Sequence, residues 1–297
     1  MAKHSIPATV AVMLLLTVVC ARAQVDGADA ERIVRRAYDI NGGNDSFSQL
    51  KFTFEERNGK TTGATLVMGF KRGGAADLDY KVIMFSRYPP DRKDVGFLGL
   101  FYRGETGKEA DMWLYLPELR LVRRMVHGHG EHGESGAMSH EDQSDEFSIS
   151  QLNHEELMPR WPGLDQHRLL GTTQVGDKTV YMIESTPRDP ATSSYGKRIQ
   201  WITQDDGLPI KIEYYDEDMT LLKTQTLTWR RVGDAWLWDR ITAVNNVTGA
   251  KTVLEQTDML VDVGLSDSLF TKRALSLGAK AFENRVKKEI ARPATSQ

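Results

Sequence analysis

Apolar and polar residues alternate along much of the chain after residue 50, and this period of two is typical of β-strands with one buried face. Two successive segments carry the pattern clearly: Leu66, Met68 and Phe70 in the first, and Leu78, Tyr80, Val82 and Met84 in the second. Apolar, aromatic-rich runs at residues 95–102 and 112–116 predict two more strands. One face of these strands should therefore be buried away from solvent.

The second half of the chain repeats short strand patterns separated by turn signals. These patterns cover residues 199–203, 210–215, 221–229, 236–244 and 251–261, with turns such as Asp205-Asp206-Gly207 and Gly233-Asp234 between them. Short connections of this kind predict a consecutive antiparallel meander. Roughly ten to twelve strands are expected in all, enough for one strongly curved antiparallel sheet or an incomplete β-barrel covered by short helices.

Helical spacing is confined to a few short segments. Residues 29–40 place Ile33, Val34, Ala37 and Ile40 on one face, and Asn41-Gly42-Gly43 should end this helix. Residues 150–158 predict a short helix closed by Pro159 and Pro162, and residues 266–274 a short capping helix or turn. We expect residues 276–297 to form a charged tail, with a fraying helix over residues 279–290.

The N-terminus follows the pattern of a secretory signal peptide. Lys3 and His4 precede an apolar run over residues 6–19, and Ala21-Arg22-Ala23 is a small-x-small cleavage site, which predicts cleavage after Ala23. A membrane anchor is the first alternative, but the run is shorter than the roughly 20 residues that span a bilayer. Lipidation at Cys20 is the second. With residues 1–23 removed, residues 24–275 are expected to form one soluble periplasmic domain.

Composition narrows the chemistry that the mature chain can perform. Cys20 is the single cysteine, so a chain cut after Ala23 has no disulfide, thiolate metal site or cysteine nucleophile. The formal net charge of −3 does not indicate the basic surface that nucleic-acid binding requires. Nucleophile-elbow, phosphate-loop and dinucleotide motifs are absent from the sequence. We therefore expect a binding protein without a cofactor and not an enzyme.

Three sequence blocks resemble the LolA-like (LolA/LolB) family of outer-membrane lipoprotein-sorting proteins. They are Met112-Trp113-Leu114-Tyr115-Leu116-Pro117 followed by Val122-Arg123-Arg124, the turn Asp206-Gly207-Leu208-Pro209, and the closing Leu265-Ser266-Asp267-Ser268-Leu269-Phe270-Thr271. The resemblance implies an incomplete antiparallel barrel closed by helices, with an apolar cavity that shields acyl chains. This chain departs from the family pattern at Phe147-Ser148-Ile149-Ser150, where the resemblance would lead us to expect an F-x-G-x-D element.

The resemblance assigns the alternating apolar residues to a ligand cavity. The candidate lining residues are Leu66, Met68, Phe70, Leu78, Tyr80, Val82, Met84, Trp113 and Tyr115. The alternative is an ordinary core under the N-terminal helix, since alternation shows burial only. On strand 112–116, Trp113 and Tyr115 share one face and Met112, Leu114 and Leu116 the other, so either set could line the cavity.

Arginine and histidine residues supply the remaining candidates. Arg120, Arg123 and Arg124 suit a lipid headgroup or an acidic partner, or they form a solvated strand edge. His127, His129 and His132 lie in a polar, glycine-rich stretch, residues 127–146, which we expect to be a mobile loop. Such a tract can bind zinc, copper or nickel weakly, but the rigid His-Glu-x-x-His arrangement is missing.

These observations lead to three functional hypotheses. The first is a periplasmic carrier of a lipid or of the acyl chains of a lipoprotein. The second is an envelope adaptor or sensor that binds a membrane partner, such as an inner-membrane transporter or export pump. The third is a metal-handling protein that acts through the histidine-rich loop.

Overall fold

Thirteen strands form one antiparallel sheet in the computed structural model, which describes residues 27–75, 77–125, 152 and 154–291. The strands are β1 (Asp45–Glu55), β2 (Thr61–Arg72), β3 (Leu78–Tyr88), β4 (Gly96–Tyr102), β5 (Asp111–Leu116), β6 (Leu121–Met125), β7 (Asp165–Val175), β8 (Lys178–Pro187), β9 (Lys197–Thr203), β10 (Pro209–Tyr215), β11 (Leu221–Val232), β12 (Ala235–Asn245) and β13 (Lys251–Val261). The sheet is open and curved, which confirms the fold class predicted from the sequence.

The strand order follows the chain except at one junction. It runs β6-β5-β4-β3-β2-β1-β13-β12-β11-β10-β9-β8-β7, so two meanders join where β1 pairs with β13. Strands β6 and β7 form the two edges. The β1–β13 pairing brings together residues about 200 positions apart, such as Leu50 and Gln256.

Strand register divides the sheet into two faces, because residues directly opposite each other in antiparallel strands point to the same side. We call the side that carries Leu66 and Met84 the front face, and the side that carries Val67 and Ile83 the back face. The pairs Leu50–Leu66 and Leu50–Gln256 extend the front face from β2 across β1 to β13. The registers of the following strands extend it as far as Leu169 on β7.

Two C-terminal helices cover the back face of β2 to β5. Helix α3 (Lys272–Leu275) and helix α4 (Gly278–Ile290) are joined to β13 by a segment that includes a 3-10 turn at Asp267–Leu269. Their buried residues pack with the back-face residues of the strands, a core that contains Val67, Ile83, Phe85, Leu98, Leu269, Leu275, Phe282 and Val286.

Helix α4 differs from the charged, fraying tail that the sequence led us to expect. Its charged residues lie outward, while Ala279, Phe282 and Val286 recur at intervals of three and four and are buried. The ring of Phe282 lies 5.4 Å from that of Phe85 and 6.1 Å from that of Phe47. The helix is therefore part of the core.

Helix α1 (Gly27–Tyr38) lies on the front face at the other end of the sheet. Ala30 and Val34 are buried against Ile183 and Ile202, in a cluster that Ile33 and Ala37 also join. This confirms the helix and the apolar face predicted for it. A guanidinium nitrogen of Arg36 donates to the backbone oxygen of Gln204 at 2.9 Å, which fastens α1 to the β9–β10 turn.

A short segment crosses the centre of the front face. It contains helix α2 (His154–Leu157), continues to Arg160, and is followed by a 3-10 turn at Pro162–Leu164. Leu152 and Leu157 pack against the front-face residues of β1, β2, β12 and β13. We call residues 155–161 the covering segment. None of the described helices is both long enough and apolar enough to cross a membrane.

Candidate ligand-binding face

The front face of β1 to β5, β12 and β13 carries a continuous apolar surface. Its members are Leu50, Phe52, Phe54, Ala64, Leu66, Met68, Phe70, Tyr80, Val82, Met84, Phe97, Phe101, Met112, Ile241, Ala243 and Leu254. Met68 and Met84 belong to both of the clusters that make up this surface, so the two clusters join across β2 and β3. We call this surface the apolar front.

Part of the apolar front is only half buried. Phe52 and Phe54 stack on each other with ring centroids 6.1 Å apart, near the hairpin that joins β1 to β2. They are half-buried, as are Met68, Met84 and Trp238. The described helices therefore cover this surface only in part.

Five methionines meet at one end of the apolar front. Met68, Met84, Met112, Met125 and Met158 all belong to a cluster built around Phe97 and Phe101. Because a methionine side chain is unbranched and polarizable, such a surface repacks readily around different apolar partners.

An aromatic pocket of about 140 Å³ adjoins the methionine cluster. Its walls include Tyr38 at the end of α1, Tyr80, Phe101, Met158 and Trp161. The rings of Tyr80 and Phe101 stack with centroids 4.7 Å apart. Since Tyr80, Phe101 and Met158 belong to both structures, the pocket is continuous with the apolar front.

Polar groups around the pocket fix its walls. The Tyr38 hydroxyl donates to Oδ2 of Asp79 at 2.9 Å, and burial together with the Asp79 carboxylate raises the pKa of Tyr38 well above its usual value. Burial likewise raises the pKa of Tyr80. Both phenols therefore stay neutral at physiological pH. The side chain of Lys108, another lining residue, lies over the ring of Tyr102 and contacts Asp77 at 3.2 Å.

The covering segment is fastened to the front face by a buried carboxylate. Glu156 Oε1 accepts from the ammonium group of Lys223 at 2.5 Å and from the hydroxyl of Tyr195. Its backbone oxygen accepts from Nε2 of Gln225 at 3.2 Å. Burial and the nearby Glu156 carboxylate raise the pKa of Tyr195, which keeps its hydroxyl a donor.

A second set of polar contacts fastens the end of the covering segment. Arg160 donates to Oδ1 of Asp165 at 3.0 Å and to the backbone oxygen of Thr192 at 2.6 Å. Asp165 also accepts from Arg198. The front face of β7 to β11 thus carries, beside the apolar cluster under α1, a group of polar residues that anchors the covering segment, and we call it the polar half. Leu157 and Met158 of that segment lie on the apolar front.

His167 stands in this polar half, beneath α1. Its Nδ1 lies 2.8 Å from the hydroxyl of Ser185, and its Nε2 lies 2.9 Å from the backbone oxygen of Pro162. Burial lowers the pKa of His167 below its usual value, against the opposing influence of the Pro162 carbonyl and the Glu31 carboxylate. The imidazole is therefore held neutral at pH 7.

The structure groups most, but not all, of the apolar residues that the sequence singled out. Leu66, Met68, Phe70, Tyr80, Val82 and Met84 lie together on the apolar front. Leu78 is buried at the start of β3, outside these clusters. Trp113 and Tyr115 lie on the back face, against the C-terminal helices. On β5 it is Met112 and Leu114 that point to the front face.

The three arginines do not form one patch. Arg120 lies exposed in the β5–β6 turn with a φ of 49°. Arg123 is paired with Leu114 and so lies on the front face, while Arg124 is paired with Trp113 on the back face and donates to Oδ1 of Asp111 at 2.6 Å. Only Arg123 is thus positioned beside the apolar front.

Several front-face residues were not singled out from the sequence. Phe97 and Phe101 were missed because a fully apolar run such as residues 96–101 has no period that assigns faces. Met158, in the short helical segment 150–158, was not singled out either. Ser48 and Gln256 were missed because polar residues in a strand normally point to solvent. His127, His129 and His132, Cys20 and the signal segment lie outside the described residues. Within the described residues, no group of three or more metal-binding side chains converges.

Comparisons with known proteins identify the fold and a family. A family model described as "Uncharacterized protein" matches residues 78–277. A DUF1329 family protein from Desulfovibrio piger has a solved structure 24% identical to this chain, with a TM-score of 0.70, covering 84% of this chain and 98% of its own. A search of curated protein sequences found no match.

Two further solved structures share the architecture. A putative outer membrane lipoprotein-sorting protein domain from Vibrio parahaemolyticus is 23% identical, with a TM-score of 0.70, covering 84% of this chain and all of its own. A LolA superfamily protein from Nitrosomonas europaea is 19% identical, with a TM-score of 0.56, covering 82% of this chain and 98% of its own. The LolA-like fold implied by the sequence resemblance is thereby confirmed.

Proposed function

Because the chain belongs to the protein family whose model matches residues 78–277 and has the LolA-like fold, we propose that it is a periplasmic carrier that binds an acyl chain of a lipid or lipoprotein on its apolar front. Its cargo would be an acyl lipid or acylated lipoprotein bound for the outer membrane, and no catalytic residue is needed. The observation that carries the proposal is a large apolar surface, rich in methionine, that the described helices cover only in part.

The energetics of such binding favour a passive carrier. Each methylene group removed from water contributes about 0.8 kcal/mol, so a chain of a dozen methylenes gains roughly 10 kcal/mol before the costs of ordering. The methionine cluster suits this ligand because acyl chains differ in length and path. The aromatic pocket, which is continuous with the cluster, extends the surface available to the chain.

Entry of a chain requires the covering segment to move. Leu157 and Met158 occupy the apolar front in this structure, and an acyl chain would replace their contacts with its own. The polar half of the front face holds that segment through the side chains of Glu156 and Arg160, so it can act as a fixed attachment. We infer that the acyl chain lies between the covering segment and strands β2 to β4.

A headgroup or partner contact is proposed for Arg123. It lies on the front face of the edge strand β6, and Met125 of the same strand belongs to the methionine cluster. A guanidinium group in this position suits a phosphate or carboxylate at the polar end of the ligand. Arg120 and Arg124, which point elsewhere, are not assigned this role.

The test is lipid mass spectrometry on the mature protein, residues 24–297, purified without detergent from a periplasmic extract. We expect a stoichiometric acyl lipid in the wild type and its loss in Met84→Glu, because a carboxylate on the apolar front would oppose a hydrocarbon chain. Met182→Glu is the matched control, since Met182 is paired with Trp201 on the back face. It should keep the lipid.

Two outcomes would contradict the proposal. An empty wild-type protein that also fails to take up a fluorescent fatty acid would exclude an acyl carrier. Equal loss of lipid from Met84→Glu and Met182→Glu, with both variants folded by circular dichroism, would place the lipid away from the apolar front.

A further inference from the structure

A buried polar pair interrupts the apolar front. Gln256 of β13 is opposite Leu50 of β1 and two residues after Leu254, and both leucines belong to the apolar front. Gln256 is 2% exposed and Ser48 is fully buried. Amide and hydroxyl groups in such surroundings need hydrogen-bond partners, because bulk water does not reach them.

The hydrogen bonding of this pair is incomplete. Nε2 of Gln256 donates to Oγ of Ser48 at 2.9 Å. Oε1 of Gln256 has no partner, and within the described part of the chain it is the one buried side-chain nitrogen or oxygen in this state. The Ser48 hydroxyl, which accepts from Gln256, keeps its own proton to donate.

A second buried glutamine on the same face shows that the fold can satisfy such a group. Gln225 of β11 is fully buried, like Ser48. Its Oε1 accepts from the hydroxyl of Tyr214 at 2.8 Å, and its Nε2 donates to the backbone oxygen of Glu156 at 3.2 Å. Gln225 stands in the polar half, whereas Gln256 stands in the apolar front. The unpaired Oε1 of Gln256 therefore lies within the surface proposed to bind ligand.

The pair offers at least one free donor and one free acceptor in either orientation of the amide. As placed, Gln256 Oε1 is the free acceptor and the Ser48 hydroxyl the free donor. If the amide is turned by 180°, Ser48 donates to Oε1, and the free groups are the two N–H groups of the Gln256 amide and an oxygen lone pair of Ser48. The ligand group that fits does not depend on which orientation is chosen.

A hydroxyl group matches this arrangement best. It donates and accepts through a single oxygen, so it can reach both members of a pair whose polar atoms are 2.9 Å apart. A trans amide points its N–H and C=O in opposite directions, and a carboxylate offers only acceptors. An unsubstituted hydrocarbon chain would leave both groups unpaired.

We propose that Ser48 and Gln256 form a polar subsite for a hydroxyl group on the bound acyl chain, so that the protein selects hydroxylated acyl chains over plain ones. The inference rests on the proposed carrier function and names its ligand class. The pair lies among the leucines of the apolar front, so the hydroxyl it binds would lie along the buried chain.

The test compares matched probes on the mature protein, residues 24–297. Myristic acid and its 2-hydroxy and 3-hydroxy derivatives would each compete with a fluorescent fatty acid. In the wild type we expect at least one hydroxy acid to bind about tenfold more tightly than myristic acid, the range of one to two neutral hydrogen bonds. In the double variant S48A/Q256L this ratio should fall to about one, with the affinity for myristic acid kept or increased.

The control variant is Q49L. Gln49 follows Ser48 on β1 but points to the back face, where Nε2 donates to Asp258 at 2.6 Å, so the preference for hydroxy acids should persist. The single variant S48A provides the same test if the double variant does not fold, as judged by circular dichroism.

The outcomes separate this inference from the carrier proposal. Binding of myristic acid with no preference for either hydroxy acid would overturn the subsite, leave the carrier intact, and indicate that the pair holds only water. The same conclusion follows if S48A/Q256L keeps the preference. Failure of every acid to bind the wild type would overturn the carrier proposal, and the subsite with it.

Discussion

At the scale of single residues, the strongest constraint on the covering segment is the buried pair of Glu156 and Lys223. Lys223→Met would leave the carboxylate buried without this cation, and loss of one partner of a buried ion pair costs about 3 kcal/mol or more. We expect the free energy of unfolding to fall by that amount. Urea denaturation monitored by circular dichroism measures it.

A surface ion pair serves as the control for this prediction. Lys51 lies 4.0 Å from Glu255 and its side chain is largely exposed, so Lys51→Met should change the free energy of unfolding by less than about 0.5 kcal/mol. If the two variants lost equal stability, Glu156 would not depend on Lys223 for its burial.

His167 gives the fold a pH dependence whose sign follows from its lowered pKa. In the unfolded chain the imidazole takes up a proton near its ordinary value of about 6.5, whereas the buried imidazole resists protonation until a lower pH. The unfolded state therefore binds more protons below about pH 6.5, and stability falls as the pH falls towards the lowered folded-state value. The groups that face this ring are Ser185, Pro162, Glu31, Asp165 and Arg198.

Replacing His167 tests this assignment. His167→Gln removes the titrating group while keeping a side chain that can donate and accept. The difference in urea midpoint between pH 7.5 and pH 5.5 should be smaller in the variant than in the wild type. An unchanged difference would mean that other groups, such as the carboxylates of the polar half, account for the acid sensitivity.

At the scale of elements, helix α4 completes the back-face core. Phe282 is 1% exposed and its ring meets Phe47 and Phe85, so Phe282→Ala should cost about 3–5 kcal/mol of unfolding free energy through lost burial and a cavity. Chemical denaturation provides the value. Ile290→Ala, at a 38% exposed position of the same helix, should stay within about 0.5 kcal/mol of the wild type. Comparable losses in both would contradict a specific core role for Phe282.

The sequence predicted elements well where one periodicity dominated. Alternation assigned Leu66, Met68 and Phe70 to a single face, and helical spacing assigned Val34 and Ala37, as the structure has them. Alternation was uninformative for β5, because both faces of that strand are apolar. Trp113 and Tyr115 were therefore placed with the cavity, although they face α3 and α4. Helix α4 was underestimated because its buried side chains, Ala279, Phe282 and Val286, stand among many charged ones.

At the scale of the whole molecule, the pairing of β1 with β13 decides what the apolar front contains. That pairing places Gln256 beside Leu50, a contact that no local pattern could reveal. The covering segment likewise reaches the strands through contacts distant in sequence, such as Glu156 with Lys223. The resemblance to a known family therefore gave the architecture, whereas the proposed polar subsite and the polar attachment depend on contacts that only the folded chain brings together.

The division of the front face into a polar and an apolar half leads to a prediction for the whole chain when ligand binds. If an acyl chain takes the place of Leu157 and Met158, backbone amides of residues 155–161 should exchange with deuterium faster in the presence of myristic acid. Amides of β2 to β4 should exchange more slowly, because binding to the folded state lowers the population of open states. Strands β7 to β11, which hold the attachment, should respond less. Hydrogen exchange followed by mass spectrometry measures all three regions together, with Met84→Glu as a control that should show no change. Uniform slowing across the covering segment and the strands would instead show that the chain binds without displacing that segment, and the proposed route of entry would be wrong.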